Sequence, residues 1–297
     1  MTFEKGKNRY FTDPENDDFQ VTKVKKMKNV NGDYKYIRKN IFLKIFDFFL
    51  YYLVAVPCLK FYSKYILRVK VKGKKNLKPI KKQGFIMYGN HTQNLDPFFL
   101  ATLVLFPKRV HVVTSPIAVS VPFARFITRS LGAVPVASTL SGIKKMGSAV
   151  SYILKTKKRV LVVYPEAHMW SYFTGIREFK PASFKFATAN NVPAVPFAVT
   201  YKKRTRGIGK NKRVVKPQIL ISIGKPIFKN PNLTDRDNAE VLTRECQRFV
   251  KNECMRNSNF EYYNYMKVSS TELEEIKKAS LENSLLKQVN NKKSTHT

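Results

Sequence analysis

The chain contains the stretch FIMYGNHTQNLDPFFL at residues 85–100. An apolar run ends there at Gly89, and a second apolar run begins directly after Pro97. This pattern predicts a buried strand, a tight turn and the first turns of a helix, with His91 and Asp96 on the turn. We therefore expect the two side chains at the end of a strand, which is where open α/β sheets bind their ligands.

A histidine followed closely by an aspartate suggests proton transfer. Neutral imidazole titrates near working pH and can take a proton from a hydroxyl group while that oxygen attacks. A carboxylate on the other ring nitrogen fixes the tautomer and stabilises the imidazolium that forms. No serine or cysteine stands beside His91 and Asp96, so we expect the attacking hydroxyl to belong to the substrate. The spacing alone leaves a helix-capping role open.

Three further stretches follow the sequence Asn-His-x4-Asp-Pro of residues 90–97. They are LGAVPV at residues 131–136, VVYPE at 162–166 and VPAVPF at 192–197. In order and spacing the four stretches resemble the motifs of the glycerolipid acyltransferases, the lysophosphatidate acyltransferase family, over about residues 70 to 230. The resemblance implies transfer of an acyl chain from a coenzyme A or acyl-carrier-protein thioester to a glycerol hydroxyl.

The same resemblance implies roles for individual residues. His91 would be the general base and Asp96 would orient it, while Glu166 would position the hydroxyl groups of the acceptor. The residues expected to bind substrate are Asn90, Glu166, Ala167, His168, Arg177 and Lys180. The family's usual acceptor is 1-acylglycerol-3-phosphate, and no cofactor is implied beyond the acyl carrier. Another lysolipid, or a lipid that carries an amine or a sugar, is the alternative acceptor.

Two cations of the family pattern are missing from their expected places. The family continues its third motif as Gly-Thr-Arg-Ser, but Ala-His-Met-Trp follows Glu166 here, and Val136 lacks the arginine that usually ends the second motif. In the family these arginines bind the acceptor's phosphate, and a phosphate in a partly buried site needs charge-assisted donors. Either Arg177 or Lys180 reaches back toward Glu166, or the acceptor lacks that phosphate.

A metal site is the competing interpretation of the same residue types. Two histidines, His91 and His168, and two carboxylates, Asp96 and Glu166, are a common ligand set. The motif spacing of the family calls for no metal, and we predict none. A non-catalytic scaffold on the same fold is a further alternative, against which the presence of both His91 and Asp96 counts.

Composition restricts the partners and the compartment. The 297 residues include 55 Lys+Arg and 20 Asp+Glu, which gives a net charge of +35. Such a surface attracts polyanions, either an anionic bilayer, an acidic carrier protein or nucleic acid. No nucleic-acid-binding motif accompanies the charge, so nucleic acid is the least favoured of these. The three cysteines lack metal-ligand spacing and fit a reducing cytoplasm, and the polar N-terminus lacks the layout of a secretory signal.

The most apolar part of the chain runs from Ile41 to Leu67. Its uncharged core, residues 48–59, has 12 residues, whereas a helix needs roughly 20 to cross a bilayer. Abundant Tyr and Phe with basic flanks favour one or two helices that lie in the membrane interface. A core helix of the domain is the alternative. We expect a peripheral or monotopic protein on the cytoplasmic face of the cell membrane.

Elsewhere, strand patterns alternate with helix patterns. Strands are predicted near residues 85–89, 110–114, 133–137, 160–164, 195–201 and 218–224, and helices near 98–106, 121–131, 141–155, 234–255 and 272–286. This order predicts an α/β fold with a mixed, partly parallel sheet flanked by helices, and with an N-terminal membrane-interface helical segment. The basic loop 202–216 between the last two strands is expected to be a solvated hairpin that contacts lipid headgroups or carrier protein.

Four divisions of the chain follow from these patterns. They are a loosely ordered polar N-terminal arm (1–36), the membrane-interface helices (37–72), the acyltransferase catalytic domain (73–260) and a polar C-terminal tail (261–297).

Overall fold

The computed structural model describes residues 1–19, 27–122, 124–211, 213–257 and 260–294. The strands in these ranges are β1 (Thr2–Lys5), β2 (Asn8–Phe11), β3 (Lys70–Lys72), β4 (Phe85–Gly89), β5 (Val110–Thr114), β6 (Ala133–Pro135), β7 (Val160–Val163), β8 (Ala194–Arg206), β9 (Arg213–Ile223) and β10 (Asn264–Lys267). Seven of them form the main sheet in the order β3-β9-β8-β4-β7-β5-β6. Only the β8–β9 pair in it is antiparallel, so the predicted mixed, partly parallel sheet is confirmed.

Helices flank this sheet. They are α1 (Ile41–Phe48), α2 (Val56–Phe61), α3 (Asp96–Phe99), α4 (Ala124–Ser130), α5 (Leu140–Ser151), α6 (Lys185–Asn190), α7 (Asp235–Asn257) and α8 (Ser270–Ser294). Short 3-10 helices cover Lys74–Ile80, Pro116–Val119, Pro181–Phe184 and Gly209–Asn211. Helices α3 and α5 continue as the π-helical turns Leu100–Val104 and Tyr152–Thr156.

Strand β4 lies at the centre of the core and every one of its residues is buried. Phe85 and Met87 face an apolar cluster that includes the helix beginning at Asp96, whereas Ile86 and Tyr88 face a second cluster that includes α5 and α7. Both faces are covered because parallel strands need helices on each side. Each large apolar side chain buried in this way contributes about 1.5–3 kcal/mol. The carboxyl end of β4 is thus held rigidly between β7 and β8.

The apolar block forms one continuous helix, Ile41–Ile66, in which π-helical turns follow α1 and α2. It has 26 residues and a mean hydropathy of 1.8 in its most apolar window, of which only 11% is buried. By length and composition it is sufficient to cross a membrane. Among its few buried residues are Tyr51 and Val56, so it does not resemble a core helix. It is anchored where Val110 N–H donates to Tyr51 Oη at 3.1 Å.

The prediction of a loosely ordered N-terminal arm was wrong for residues 1–19. Strands β1 and β2 pair antiparallel, and β10 from the far end of the chain adds to β2 in parallel. The polar composition was misleading, because the segment carries enough aromatic side chains to pack: Phe11 lies 4.6 Å from Trp170, centroid to centroid. We call β1, β2 and β10 the terminal sheet. Residues 20–26 lie outside the described residues.

The solvated hairpin predicted at 202–216 is confirmed, but its two arms are strands and not loop. Strands β8 and β9 continue through it as a two-stranded ribbon, with Arg204 opposite Val215 and Arg206 opposite Arg213. Backbone pairing needs no apolar face, and the charged side chains point into water on both sides of the ribbon. The two C-terminal helices do lie where their periodicity predicted them, at α7 and α8.

Candidate active site

The candidate site lies at the carboxyl ends of β4 and β7, which are parallel neighbours. Strand β4 ends at Gly89, where a Cβ atom would lie 2.4 Å from the Phe197 carbonyl oxygen, so only glycine fits. The next residue, Asn90, is fully buried and exchanges two hydrogen bonds with the Val199 backbone, at 2.9 and 2.8 Å. The amide of Asn90, a residue predicted to bind substrate, thus joins the end of β4 to β8.

His91 and Asp96 lie together on the turn after β4. His91 Nδ1 is 3.3 Å from Asp96 Oδ2. The same carboxylate oxygen accepts the N–H groups of Thr92 and Gln93, each at 2.8 Å, and Asp96 is 0% exposed. The turn thus fixes the carboxylate, and a proton on Nδ1 of His91 leaves Nε2 as the accepting nitrogen. The His91 side chain remains 22% exposed, which gives a substrate access to the ring.

Tyr164 supports the imidazole from one side. Its ring stacks on that of His91, with centroids 4.1 Å apart and planes at 19°. Tyr164 directly follows β7, so this strand sets the position of the ring. Burial raises the pKa of Tyr164 well above its ordinary value, and the charge of Asp96 acts in the same direction, so the phenol stays neutral. The histidine is therefore held at its edge by a carboxylate and at its face by an aromatic ring.

Glu166 is buried beneath the turn. Its Oε2 accepts the His91 N–H at 3.4 Å and its Oε1 accepts the Arg177 N–H at 3.2 Å. Arg177 Nη2 lies 3.6 Å from Oε2, and both side chains are more than nine-tenths buried. Burial raises the pKa of Glu166, and the arginine opposes that shift. The Glu166 carboxylate thus holds the backbone of His91 through a hydrogen bond, a role that the sequence did not predict.

The other expected substrate-binding residues are dispersed. Arg177 contacts Glu166, as predicted for either Arg177 or Lys180. Lys180 is half-exposed and pairs with Glu15 of the N-terminal segment. Ala167 adopts a left-handed conformation, with φ of 65°, that turns the chain away from β7.

His168 lies beside the same N-terminal segment. Its Nδ1 is 3.3 Å from Asp18 Oδ2, and both side chains are about one-third exposed. Its carbonyl oxygen accepts a hydrogen bond from Arg177 Nη2. Within the described ranges, no group of three or more His, Cys, Asp or Glu side chains is arranged to hold a metal ion.

A loop that was not predicted from the sequence joins the turn of His91 and Asp96, here called the dyad turn, to the terminal sheet. Trp170 N–H donates to the His91 carbonyl at 3.3 Å, and Tyr172 N–H donates to the Thr92 carbonyl at 3.0 Å. On its other side, Trp170 Nε1 donates to the Asp17 carbonyl at 2.9 Å and its ring stacks on Tyr265 at 5.1 Å. The two ends of the chain thereby hold the backbone that borders His91. The one available signal was that Trp170 is the single tryptophan of the sequence.

Comparisons with known proteins bear on this geometry. Residues 68–200 match the family model described as Acyltransferase. A solved structure with a similar fold is that of the 1-acyl-sn-glycerophosphate (LPA) acyltransferase PlsC from Thermotoga maritima; the match covers 71% of this chain and 87% of that chain, at 16% identity and a TM-score of 0.48. The comparison with curated proteins gives no match. Strand β4, the His91–Asp96 turn, β7 and Glu166 all lie inside the range that matches the Acyltransferase family model, so residues 68–200 form the acyltransferase domain that the four motifs predicted.

Proposed function

We propose that this acyltransferase moves a fatty acyl chain from a thioester of coenzyme A or an acyl-carrier protein to a hydroxyl of a lysophospholipid-type acceptor, in phospholipid synthesis. The first candidate acceptor is 1-acylglycerol-3-phosphate. The observation that carries the proposal is the contact of His91 Nδ1 with Asp96 Oδ2 at 3.3 Å, at the end of a buried parallel strand. It is supported by the acyltransferase match over residues 68–200.

The dyad of His91 and Asp96 carries out the transfer by general base catalysis. Asp96 Oδ2 accepts Nδ1–H of His91, so Nε2 is free to take the proton of the acceptor hydroxyl. The acceptor oxygen attacks the thioester carbonyl carbon, and the carbon–sulfur bond breaks when the tetrahedral intermediate collapses. The imidazolium then returns its proton to the departing thiolate. General base catalysis of this kind contributes about 10²–10⁴-fold to the rate.

The apolar helix brings this chemistry to the bilayer. Its α2 portion packs against α3, the helix that begins at Asp96. Large apolar side chains are exposed along its length, among them Phe42, Phe49, Leu53 and Phe61. Burial of such side chains among acyl chains is favourable, and the net charge of +35 adds attraction to anionic lipids. We propose attachment to the cytoplasmic face of the membrane, with acyl-CoA or an acidic carrier protein as the soluble partner and no metal or further cofactor.

A second acceptor class is favoured by the charges beside the site. His168 faces Asp18, Lys180 pairs with Glu15, and Arg177 lies against Glu166. Arg177 and Lys180, the two cations that were expected to bind the acceptor's phosphate, therefore each already have a carboxylate partner. A lysolipid without a phosphate monoester, or a lipid with an amine or a sugar, suits such a site.

A direct assay separates these possibilities. The full chain in anionic vesicles is supplied with labelled acyl-CoA or labelled acyl-carrier protein and a panel of lipid acceptors, and the lipids are separated. We expect label in one acceptor class, and a loss of about 10²–10⁴-fold in His91→Ala. The non-catalytic scaffold would be supported if no acceptor carries label, or if His91→Ala transfers acyl chains as well as the wild-type protein does.

A further inference from the structure

A groove of about 710 Å³ opens at the end of the sheet opposite the dyad. Its apolar floor consists of Leu77, Phe85, Val104, Leu105, Phe106 and Pro107. Phe85 begins β4, and at about 3.3 Å per residue it lies roughly 13 Å from Gly89 at the other end of the strand. The intervening space is filled by fully buried side chains such as Met87 and Phe99. The groove is therefore separate from the candidate active site.

Lysine surrounds this floor. The groove is lined by Lys74, Lys75, Lys78, Lys81, Lys82 and Lys108, and none of the described residues that line it is acidic. Lys108 Nζ is fixed by the carbonyl oxygens of Lys81 and Gln83, at 2.8 and 2.7 Å. Burial lowers the pKa of Lys108, and the charge of the nearby Lys158 acts in the same direction.

The rim lysines are available to a ligand. Lys75, Lys78, Lys81 and Lys82 are all exposed. In the parts of the chain that the structure describes, none of these four has a carboxylate within ion-pair distance. An apolar floor bordered by unpaired cations matches the two parts of an anionic amphiphile, a hydrocarbon chain and a negatively charged headgroup.

The groove also adjoins the apolar helix. Lys60 of α2 lies over the ring of Phe106 at 5.5 Å, and Tyr52 Oη donates to the Pro107 carbonyl at 3.1 Å. Phe106 itself is 44% exposed, so the apolar surface of the helix continues into the groove. A lipid molecule of the bilayer in which the helix lies would reach the groove without entering water.

We propose that the groove binds one anionic phospholipid, with an acyl chain on the floor and the phosphate among the rim lysines. Its volume falls within the roughly 300–1,000 Å³ of small-molecule sites. A free phosphate would leave the floor uncovered, and a zwitterionic lipid would bring a cationic group to the lysines. The proposal rests on the proposed membrane attachment through Ile41–Ile66 and is independent of the acyl-transfer step.

Tryptophan quenching by brominated lipids tests the site in the full chain. One variant carries Phe106→Trp in the groove, and a reference variant carries Leu53→Trp on the exposed face of the apolar helix. Both are bound to the same anionic vesicles, doped with a small fraction of brominated phosphatidylglycerol in one arm and brominated phosphatidylcholine in the other. The surface charge is then nearly equal in the two arms, and the buried Trp170 gives an equal background.

We expect the tryptophan at position 106 to be quenched about fivefold more strongly by the anionic brominated lipid than by the zwitterionic one. This ratio corresponds to about 1 kcal/mol, the attraction of one lysine to an anionic lipid. The tryptophan at position 53 should show no preference. Neutralising Lys75, Lys78 and Lys82 to Gln should abolish the preference at 106. A matched set in the β8–β9 ribbon, Lys202→Gln, Lys203→Gln and Lys216→Gln, should leave it unchanged.

Each of the other possible results contradicts one part of the proposal. Equal quenching of position 106 by both lipids, or equal losses from both lysine sets, would reduce the site to general surface charge. Quenching at position 53 but not at 106 would show that no lipid enters the groove. Absence of quenching at 53 would instead contradict the membrane attachment on which the proposal rests.

Discussion

Two histidines of the same sheet have surroundings of opposite charge. His91 follows the end of β4 with its Nδ1 3.3 Å from the carboxylate of Asp96. His111 lies within β5, with its Nε2 3.3 Å from Arg159 Nη1 and with Arg109 nearby. Burial and these two arginines lower the pKa of His111 to about 3. A carboxylate faces the ring of His91, whereas burial and two arginines oppose a positive charge on the ring of His111.

The difference shows what converts a histidine into a base. A strand end leaves a turn in which backbone N–H groups orient a carboxylate, and this carboxylate can stabilise an imidazolium. In the middle of β5 the charged groups that act on the His111 ring are two arginines, and its hydrogen bond with the Gly132 backbone does not offset them. Each of the following predictions removes one element of this contrast.

The largest effect is expected from Asp96→Asn. An asparagine oxygen can still accept the Thr92 and Gln93 N–H groups, but it cannot stabilise a positive charge on His91. We expect kcat to fall about 10²–10⁴-fold while the thermal unfolding temperature changes little. Acyl transfer and unfolding are measured on the same protein, with Asp237→Asn on the exposed start of α7 as a carboxylate control. Retention of most of the activity would show that the imidazole acts without Asp96.

The sequence predicted this half of the contrast because its signals are local. A strand, a turn and a helix start all lie within residues 85–100, and the partner of His91 is five positions away. The third motif also placed Glu166 directly after the strand predicted near residues 160–164. Its bracing contact with the His91 N–H was not visible, since a motif predicts proximity but not which atoms of a side chain meet which backbone groups.

The parts that sequence analysis missed depend on contacts between distant segments. The parallel register of β10 with β2 joins residues that are more than 250 positions apart, and no local pattern encodes it. Polar composition suggested disorder at residues 1–19, although one tryptophan in the middle of the chain supplies their packing surface. The β8–β9 hairpin was predicted, but its strands extend beyond the apolar residues that indicated them, because backbone pairing does not need an apolar face.

An effect of intermediate size is expected on the free energy of unfolding when His111 is titrated. The unfolded chain binds a proton near pH 6.5, whereas the folded chain resists it until about pH 3, so the free energy of unfolding decreases as the pH falls through this interval. At 1.36 kcal/mol per pH unit the loss from pH 7 to pH 5 is about 2 kcal/mol. His111→Gln retains an acceptor for Arg159 but does not titrate. Its unfolding by denaturant should therefore lack this contribution to the pH dependence.

The comparison between the two proteins isolates the contribution of His111, because other groups titrate equally in both. An identical decrease in wild type and His111→Gln would mean that the folded protein protonates His111 without penalty. The acyl-transfer rate at pH 7 should be the same in both proteins, since the described contacts of His111 are with Arg159, Arg109 and the Gly132 backbone and none of them is with the dyad turn.

The smallest effect is expected from the ring beneath His91. Tyr164→Leu removes the stacking surface, and an aromatic contact of this kind is worth about 0.5–1.5 kcal/mol, so kcat should fall roughly twofold to tenfold as the imidazole samples unproductive orientations. Tyr164→Phe is the matched control: the phenol oxygen is buried and has no hydrogen-bond partner in the described residues, so its removal should leave kcat unchanged. Equal losses in the two variants would assign the effect to the hydroxyl and would show that the carboxylate alone orients His91. A loss confined to the leucine variant would show instead that the base requires support at its face as well as at its edge, and the environment of His111 provides neither a carboxylate nor a stacked ring among the described contacts.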